Sequence, residues 1–244
     1  MRLIPLLAFI PAIALANPEV QKGIENGPIG HVAIIKEGRE KDFGNAIAKL
    51  GAVDGLATLN FRTEVIDGKR IVLASYHGDP AAWSSASAVK ALEPFLLPHP
   101  RLGADAKQPW VRCETVNRIR PSHAVKKPGT KSSWHFAVTG LKPEMEREYR
   151  QMHDHVWPGV IEAIGNSNIA EFDIFLVEFG DNVPYLFYQF EYVGSDFEAD
   201  MKSQSNSPVN LRWWKFTDAC QQPLPSAAKA KKIWEDMETV GTGE

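Results

Sequence analysis

The sequence predicts an α+β fold: two tandem ferredoxin-like repeats whose antiparallel sheets pack face to face. Three observations carry this prediction. Two segments of the chain begin and end alike, each reads as β-α-β-β-α-β, and a sheet of that plan has one face its own helices leave bare. The first segment opens with Gly30-His31-Val32-Ala33-Ile34-Ile35 and closes with Trp110-Val111-Arg112-Cys113-Glu114-Thr115-Val116. The second opens with Trp134-His135-Phe136-Ala137-Val138-Thr139 and closes with Trp234-Glu235-Asp236-Met237-Glu238-Thr239-Val240. The closing signatures share Trp, Glu, Thr and Val at equal spacing.

The elements follow in order. In the first repeat (30–118), a strand around Ile34 precedes a helix over Lys41 to Leu50. Strands at Leu56 to Val65 and Arg70 to Tyr76 meet at an Asp67-Gly68 hairpin turn, and a helix runs from Trp83 to Leu92. The basic, Pro/Gly/Ser-containing stretch over 119–133 reads as a linker. In the second repeat (134–240), Phe136 to Thr139 reads as a strand. Pro143 to Ile164 reads as one helix, with Met145, Tyr149, Met152, Val156, Val160 and Ile164 at helical spacing. Pro143 is placed to start it and Gly165 to end it. Ile169 to Phe179 and Tyr185 to Val193 form a hairpin; Phe197 to Met201 and Pro208 to Cys220 are helical; the last segment is a strand. The two bare sheet faces would cover each other, a pseudo-dimer of the dimeric α/β-barrel type within one chain. The space between the sheets is then the expected pocket.

Composition narrows the function. Hydrophobic residues make up 44% and charged residues 23% of the 244 residues, the balance of a soluble globular protein. A net charge of −3 with interspersed signs gives no nucleic acid and no anionic membrane as partner. Residues 1–16 place Arg2 before an apolar run ending Ala14-Leu15-Ala16, the pattern of a signal peptide. A secreted or periplasmic protein beginning near Asn17 is expected, with no membrane association after cleavage. Cys113 and Cys220 lie in different halves and outside any nucleophile motif; buried, inert thiols are the default.

Chemistry concentrates in the second repeat. Tyr149, His153 and Trp157 follow at i, i+4 and i+8, so on one helix they share a face. Imidazole titrates near neutrality and can both give and take protons. Tyr149-x-x-x-His153-x-x-x-Trp157-Pro158 resembles the first-helix signature of the L-rhamnose mutarotase family. Phe172-Asp173-Ile174-Phe175-Leu176, Leu186-Phe187-Tyr188-Gln189-Phe190-Glu191 and Arg212-Trp213-Trp214-Lys215-Phe216-Thr217-Asp218 are similar to its second strand, third strand and Trp-Trp-Lys helix.

The resemblance implies interconversion of the α and β anomers of L-rhamnose or a related 6-deoxy sugar, with no cofactor and no metal. It implies His153 as the catalytic acid/base and Tyr149 as its hydrogen-bonding partner. Trp213 and Trp214 offer apolar faces for a sugar, one expected in the pocket and the other in the core. Phe172 stands where members often carry Tyr, and Asp173 is a candidate for a hydroxyl contact. His155, two positions from His153, should point elsewhere. The first repeat has Phe43 and Ile47 in place of Tyr and His, and no Trp-Trp pair, so one site per chain is expected. Two other classes stay open: an exported monosaccharide-binding module without turnover, and a monooxygenase-type protein, which shares only the fold.

Overall fold

The computed structural model describes residues 27–102, 107–129, 131–180 and 182–240; the leader expected over 1–16 lies outside them. The first repeat supplies β1 (Ile29–Ile35), α1 (Glu40–Ala48), β2 (Leu56–Ile66) and β3 (Lys69–Gly78). After these come α2 (Pro80–Ser85), α3 (Ser87–Lys90), β4 (Leu96–Leu97), β5 (Val111–Arg112) and β6 (Glu114–Ile119). The second supplies β7 (Ser133–Leu141), α4 (Glu146–Asp154), α5 (Pro158–Asn166), β8 (Ile169–Glu178) and β9 (Pro184–Tyr192). It continues with α6 (Phe197–Asn206), α7 (Pro208–Cys220), β10 (Gln221–Gln222), α8 (Pro225–Lys229), β11 (Glu235–Asp236) and β12 (Glu238–Thr239).

These strands make two six-stranded sheets, ordered β12-β2-β3-β1-β4 with β5 also on β1, and β10-β7-β9-β8-β6 with β11 also on β7. Every pairing is antiparallel. Within each sheet the repeat's own strands take the ferredoxin-like order, and the far edge belongs to the other repeat. The closing signatures are the handover points. Val111–Arg112 pairs with β1, the chain crosses after Cys113, and Glu114–Ile119 pairs with β8. Glu235–Asp236 pairs with β7, the chain crosses after Met237, and Glu238–Thr239 pairs with β2. The two crossings are equivalent: the Cys113 amide donates to the Gly30 carbonyl at 2.8 Å and the Met237 amide to the Phe136 carbonyl at 2.9 Å. Gly30 therefore corresponds to Phe136, and His31 to Ala137. The opening signatures aligned by sequence are two residues out of register, a shift that keeps every side chain on its face.

The inner faces meet in one core. Ile34, Ile71 and Leu73 from the first sheet pack with Val138, Phe175 and Phe187 from the second. Ser75 donates to Gln189 across this interface, and the Tyr185 hydroxyl reaches Asp67 at 2.7 Å. Among the described residues, large aromatic and aliphatic side chains of both sheets occupy the roughly 10 Å between them, where the pocket had been expected. Cys113 is buried in this core and Cys220 at the end of α7; both are free thiols.

The helix expected over Pro143 to Ile164 is broken. A 3-10 turn at Pro143–Met145 leads into α4, and α5 starts at Pro158. Trp157 is extended (φ −62°, ψ 134°), as its position before Pro158 demands. The Trp83–Leu92 helix is likewise divided, by extended Ala86.

Phe175 is fully buried in the shared core. Phe175→Ala is predicted to cost about 3–5 kcal/mol. Urea unfolding followed by tryptophan fluorescence and far-UV circular dichroism should shift as one transition, because the core belongs to both repeats. Transitions that separate would contradict a shared core.

Candidate functional site

A cavity of about 630 Å³ lies on the outer face of the second sheet, beneath its helices. Strand alternation sends one set of side chains into the inner core and the next set here. Its sheet side is built from His135 of β7, Phe172 and Ile174 of β8, Tyr188 and Phe190 of β9, and Asn117 and Ile119 of β6. Its helical side carries Tyr149 and His153 of α4, Trp213, Trp214 and Asp218 of α7, and Trp234 before β11. Tyr149 and His153, one turn apart, present one face of α4 to it.

His153 is buried, and its Nδ1 lies 2.9 Å from the Tyr149 backbone carbonyl. Donation from Nδ1–H to that carbonyl fixes the neutral tautomer and leaves the Nε2 lone pair for the cavity. Burial lowers the imidazole pKa to about 4, outweighing the carbonyl contact. The Tyr149 ring sits 4.1 Å from the imidazole, and Trp213 meets it edge-on at 5.4 Å. Burial pushes the Tyr149 phenol well up, with the neighbouring Gln221 amide opposing. At neutral pH the pair is thus an uncharged acceptor beside an uncharged donor. Burial also raises the Asp218 carboxyl.

The sequence expectations meet the structure unevenly. Tyr149, His153, Trp213, Trp214 and Phe172 all line the cavity. Tyr149 holds His153 through its backbone carbonyl, not its hydroxyl. Both tryptophans of the pair face the cavity, Trp213 buried and Trp214 half-buried, where one had been expected in the core. Trp157 has left the helix but still packs edge-on against Trp213 at 5.3 Å. His155 is exposed.

Asp173 is not brought to the cavity. It points to the inner side of β8, fully buried, with Arg120 Nη2 at 2.9 Å and 3.1 Å and Arg118 Nε at 3.7 Å. Burial outweighs both guanidiniums and holds its carboxyl up at about 6. It ties the first repeat's exchanged strand to β8.

Sequence reasoning missed Asn117, His135, Tyr188 and Trp234. Trp234 had a signal, as the tryptophan of the closing signature; its counterpart Trp110 meets Trp83 edge-on at 5.2 Å. In the first repeat the outer face is filled: Trp83 stacks on His31 at 4.9 Å and on Tyr76 at 5.0 Å. Among the described residues no His/Cys/Asp/Glu cluster is placed to hold a metal, and no helix is long and apolar enough to cross a membrane.

Two face-to-face sheets, each with helices on its outer side, define the class: a paired ferredoxin-like protein of the dimeric α/β-barrel type. A candidate monooxygenase from Fusobacterium nucleatum shares this fold, with a TM-score of 0.50 at 14% identity over 87% of this chain and 92% of that one. Such low identity carries the architecture alone. The second repeat is more specific. The family profile described as L-rhamnose mutarotase matches residues 135–240. The L-rhamnose mutarotase of Listeria monocytogenes is 30% identical over 90 residues, covering 37% of this chain and 81% of that protein. That of Enterococcus faecalis is 24% identical over 97 residues, covering 38% and 88%. Through its second repeat the chain belongs to the L-rhamnose mutarotase family.

The lowered pKa of His153 has a thermodynamic consequence. Folded, it stays neutral down to about 4, whereas the ordinary value is 6.5. Below 6.5 the unfolded chain binds the extra proton, so stability present above pH 6.5 is lost as pH falls toward about 4. The full effect is roughly 3 kcal/mol. His31 and His99 are held down to about 4 in the same way. Urea titrations across this range should therefore show a shallower acid slope in His153→Gln than in the native chain.

Proposed function

We propose that the chain is a mutarotase of the aldose 1-epimerase type, interconverting the α and β anomers of L-rhamnose or a related 6-deoxy sugar. The observation that carries this reading is the neutral His153 imidazole, its Nδ1 tied to the Tyr149 carbonyl, beside a neutral Tyr149 phenol in one cavity.

Mutarotation asks of the protein only proton transfer. His153 Nε2 takes the proton of the anomeric hydroxyl while the Tyr149 hydroxyl gives its proton to the ring oxygen. The C1–O5 bond breaks and the open-chain aldehyde is left. The imidazolium and phenolate are adjacent and of opposite charge, so the open state stays neutral overall. Rotation about C1–C2 presents the other carbonyl face, and ring closure returns both protons. Aromatic faces at Trp213, Trp214, Tyr188 and Trp234 suit the C–H side of a pyranose. Phe172 offers no hydroxyl, so this part of the wall contacts the sugar through its ring alone.

Saturation-transfer NMR on the anomeric protons of L-rhamnose tests the proposal. The native chain is expected to accelerate exchange, His153→Ala to abolish the acceleration, and Tyr149→Phe to slow it about 10²–10⁴-fold. Line broadening without exchange in both native chain and His153→Ala would favour a binding module. No effect with any 6-deoxy sugar would overturn the sugar reading. Export is part of the same proposal, resting on the leader over 1–16. N-terminal sequencing of the exported protein should begin near Asn17; an intact Met1 in the cytoplasm would contradict it.

A further inference from the structure

Three amide side chains line the sugar cavity with their oxygens buried and without a hydrogen-bond partner: Asn117 Oδ1, Asn210 Oδ1 and Gln221 Oε1. The residues themselves are 2%, 1% and 4% exposed. An unpaired buried acceptor is costly, and native interiors tolerate few. Three at one cavity point to a ligand that satisfies them.

The Asn210 nitrogen donates to the Gln204 carbonyl at 3.2 Å, which fixes that amide and leaves its oxygen over. The Gln221 amide neighbours the Tyr149 hydroxyl and opposes the rise of the phenol pKa. Asn117 stands just after a β-bulge in β6, at the register shift between Thr115 and Asn117. That strand comes from the first repeat, yet its side chain lines the second repeat's cavity.

We propose that Asn117, Asn210 and Gln221 are the hydroxyl-reading set of this cavity, with Asn117 delivered by the first repeat. The ligand class follows from the chemistry. Carbonyl oxygens accept and cannot donate, so they recognise groups bearing protons, the hydroxyls of a polyol. A phosphate or carboxylate has no proton to give and would also meet the Asp218 carboxyl, with no Arg or Lys among the described lining residues to balance it. The ligand is therefore a neutral, unphosphorylated monosaccharide. The first repeat is then part of the binding site as well as a cover for the sheet. This assignment rests on the sugar reading above and says which residues select its substrate.

The test uses the full chain and titrates L-rhamnose, its 2-, 3- and 4-deoxy analogues and a rhamnose phosphate by calorimetry, alongside Asn117→Leu. In the native chain each deoxy analogue is expected to bind at least about tenfold more weakly than L-rhamnose, and the phosphate not to bind. In Asn117→Leu, L-rhamnose should weaken at least about tenfold, while one deoxy analogue binds as well as L-rhamnose does. The melting temperature without sugar should be unchanged or higher, since a leucine needs no partner. L-rhamnose affinity within about twofold of native in Asn117→Leu, or a native chain indifferent to all three deletions, would overturn this assignment and leave the mutarotase standing. A native chain that binds no sugar would overturn both.

Discussion

The organising constraint is a sheet face that a ferredoxin-like repeat does not cover by itself. Val32, Ile34, Ile71 and Leu73 on one side and Phe136, Val138, Phe175 and Phe187 on the other are each buried only because the opposite sheet is there. Each sheet's last strand is made by the other repeat, so the two cannot part without losing hydrogen bonds as well as apolar contact. The described part of this interface is packed, and the cavity lies on an outer face. Trp83 fills that face in the first repeat, against His31 and Tyr76. The second repeat keeps its face open, and the cavity of about 630 Å³ lies there.

Charge is arranged around that division. Asp173, Arg118 and Arg120 lie on the inner side of β8, where they join the exchanged strand to its neighbour. The outer side carries groups that burial keeps uncharged, His153 through a lowered pKa and Tyr149 through a raised one. An uncharged acceptor and an uncharged donor can therefore coexist 4.1 Å apart, ring to ring, at neutral pH. Adjacent residues on one strand, Phe172 and Asp173, thus serve a cavity and an interface, respectively.

Much of this was legible in the sequence where local pattern decides. The α7 helix runs from Pro208 to Cys220 as read; β8 departs from the reading by a residue at one end and β9 by a residue at each end. The helix over Pro143 to Ile164 was misread because apolar spacing persists across the break that Pro158 imposes at Trp157. The face of Asp173 was undecidable because β8 is apolar on both sides, so alternation marks neither. Asn117 was invisible for a topological reason. It lies one residue beyond the first repeat's closing signature, and nothing local to that strand says that it pairs with the second repeat's β8.

The imidazole of His153 itself gives the most direct test, through its ¹⁵N resonances in the native chain. The account predicts a neutral ring protonated at Nδ1, titrating near 4, with an Nε2 resonance that moves when L-rhamnose is added. A ring protonated at Nε2, or one that titrates near the ordinary 6.5 and ignores the sugar, would contradict it.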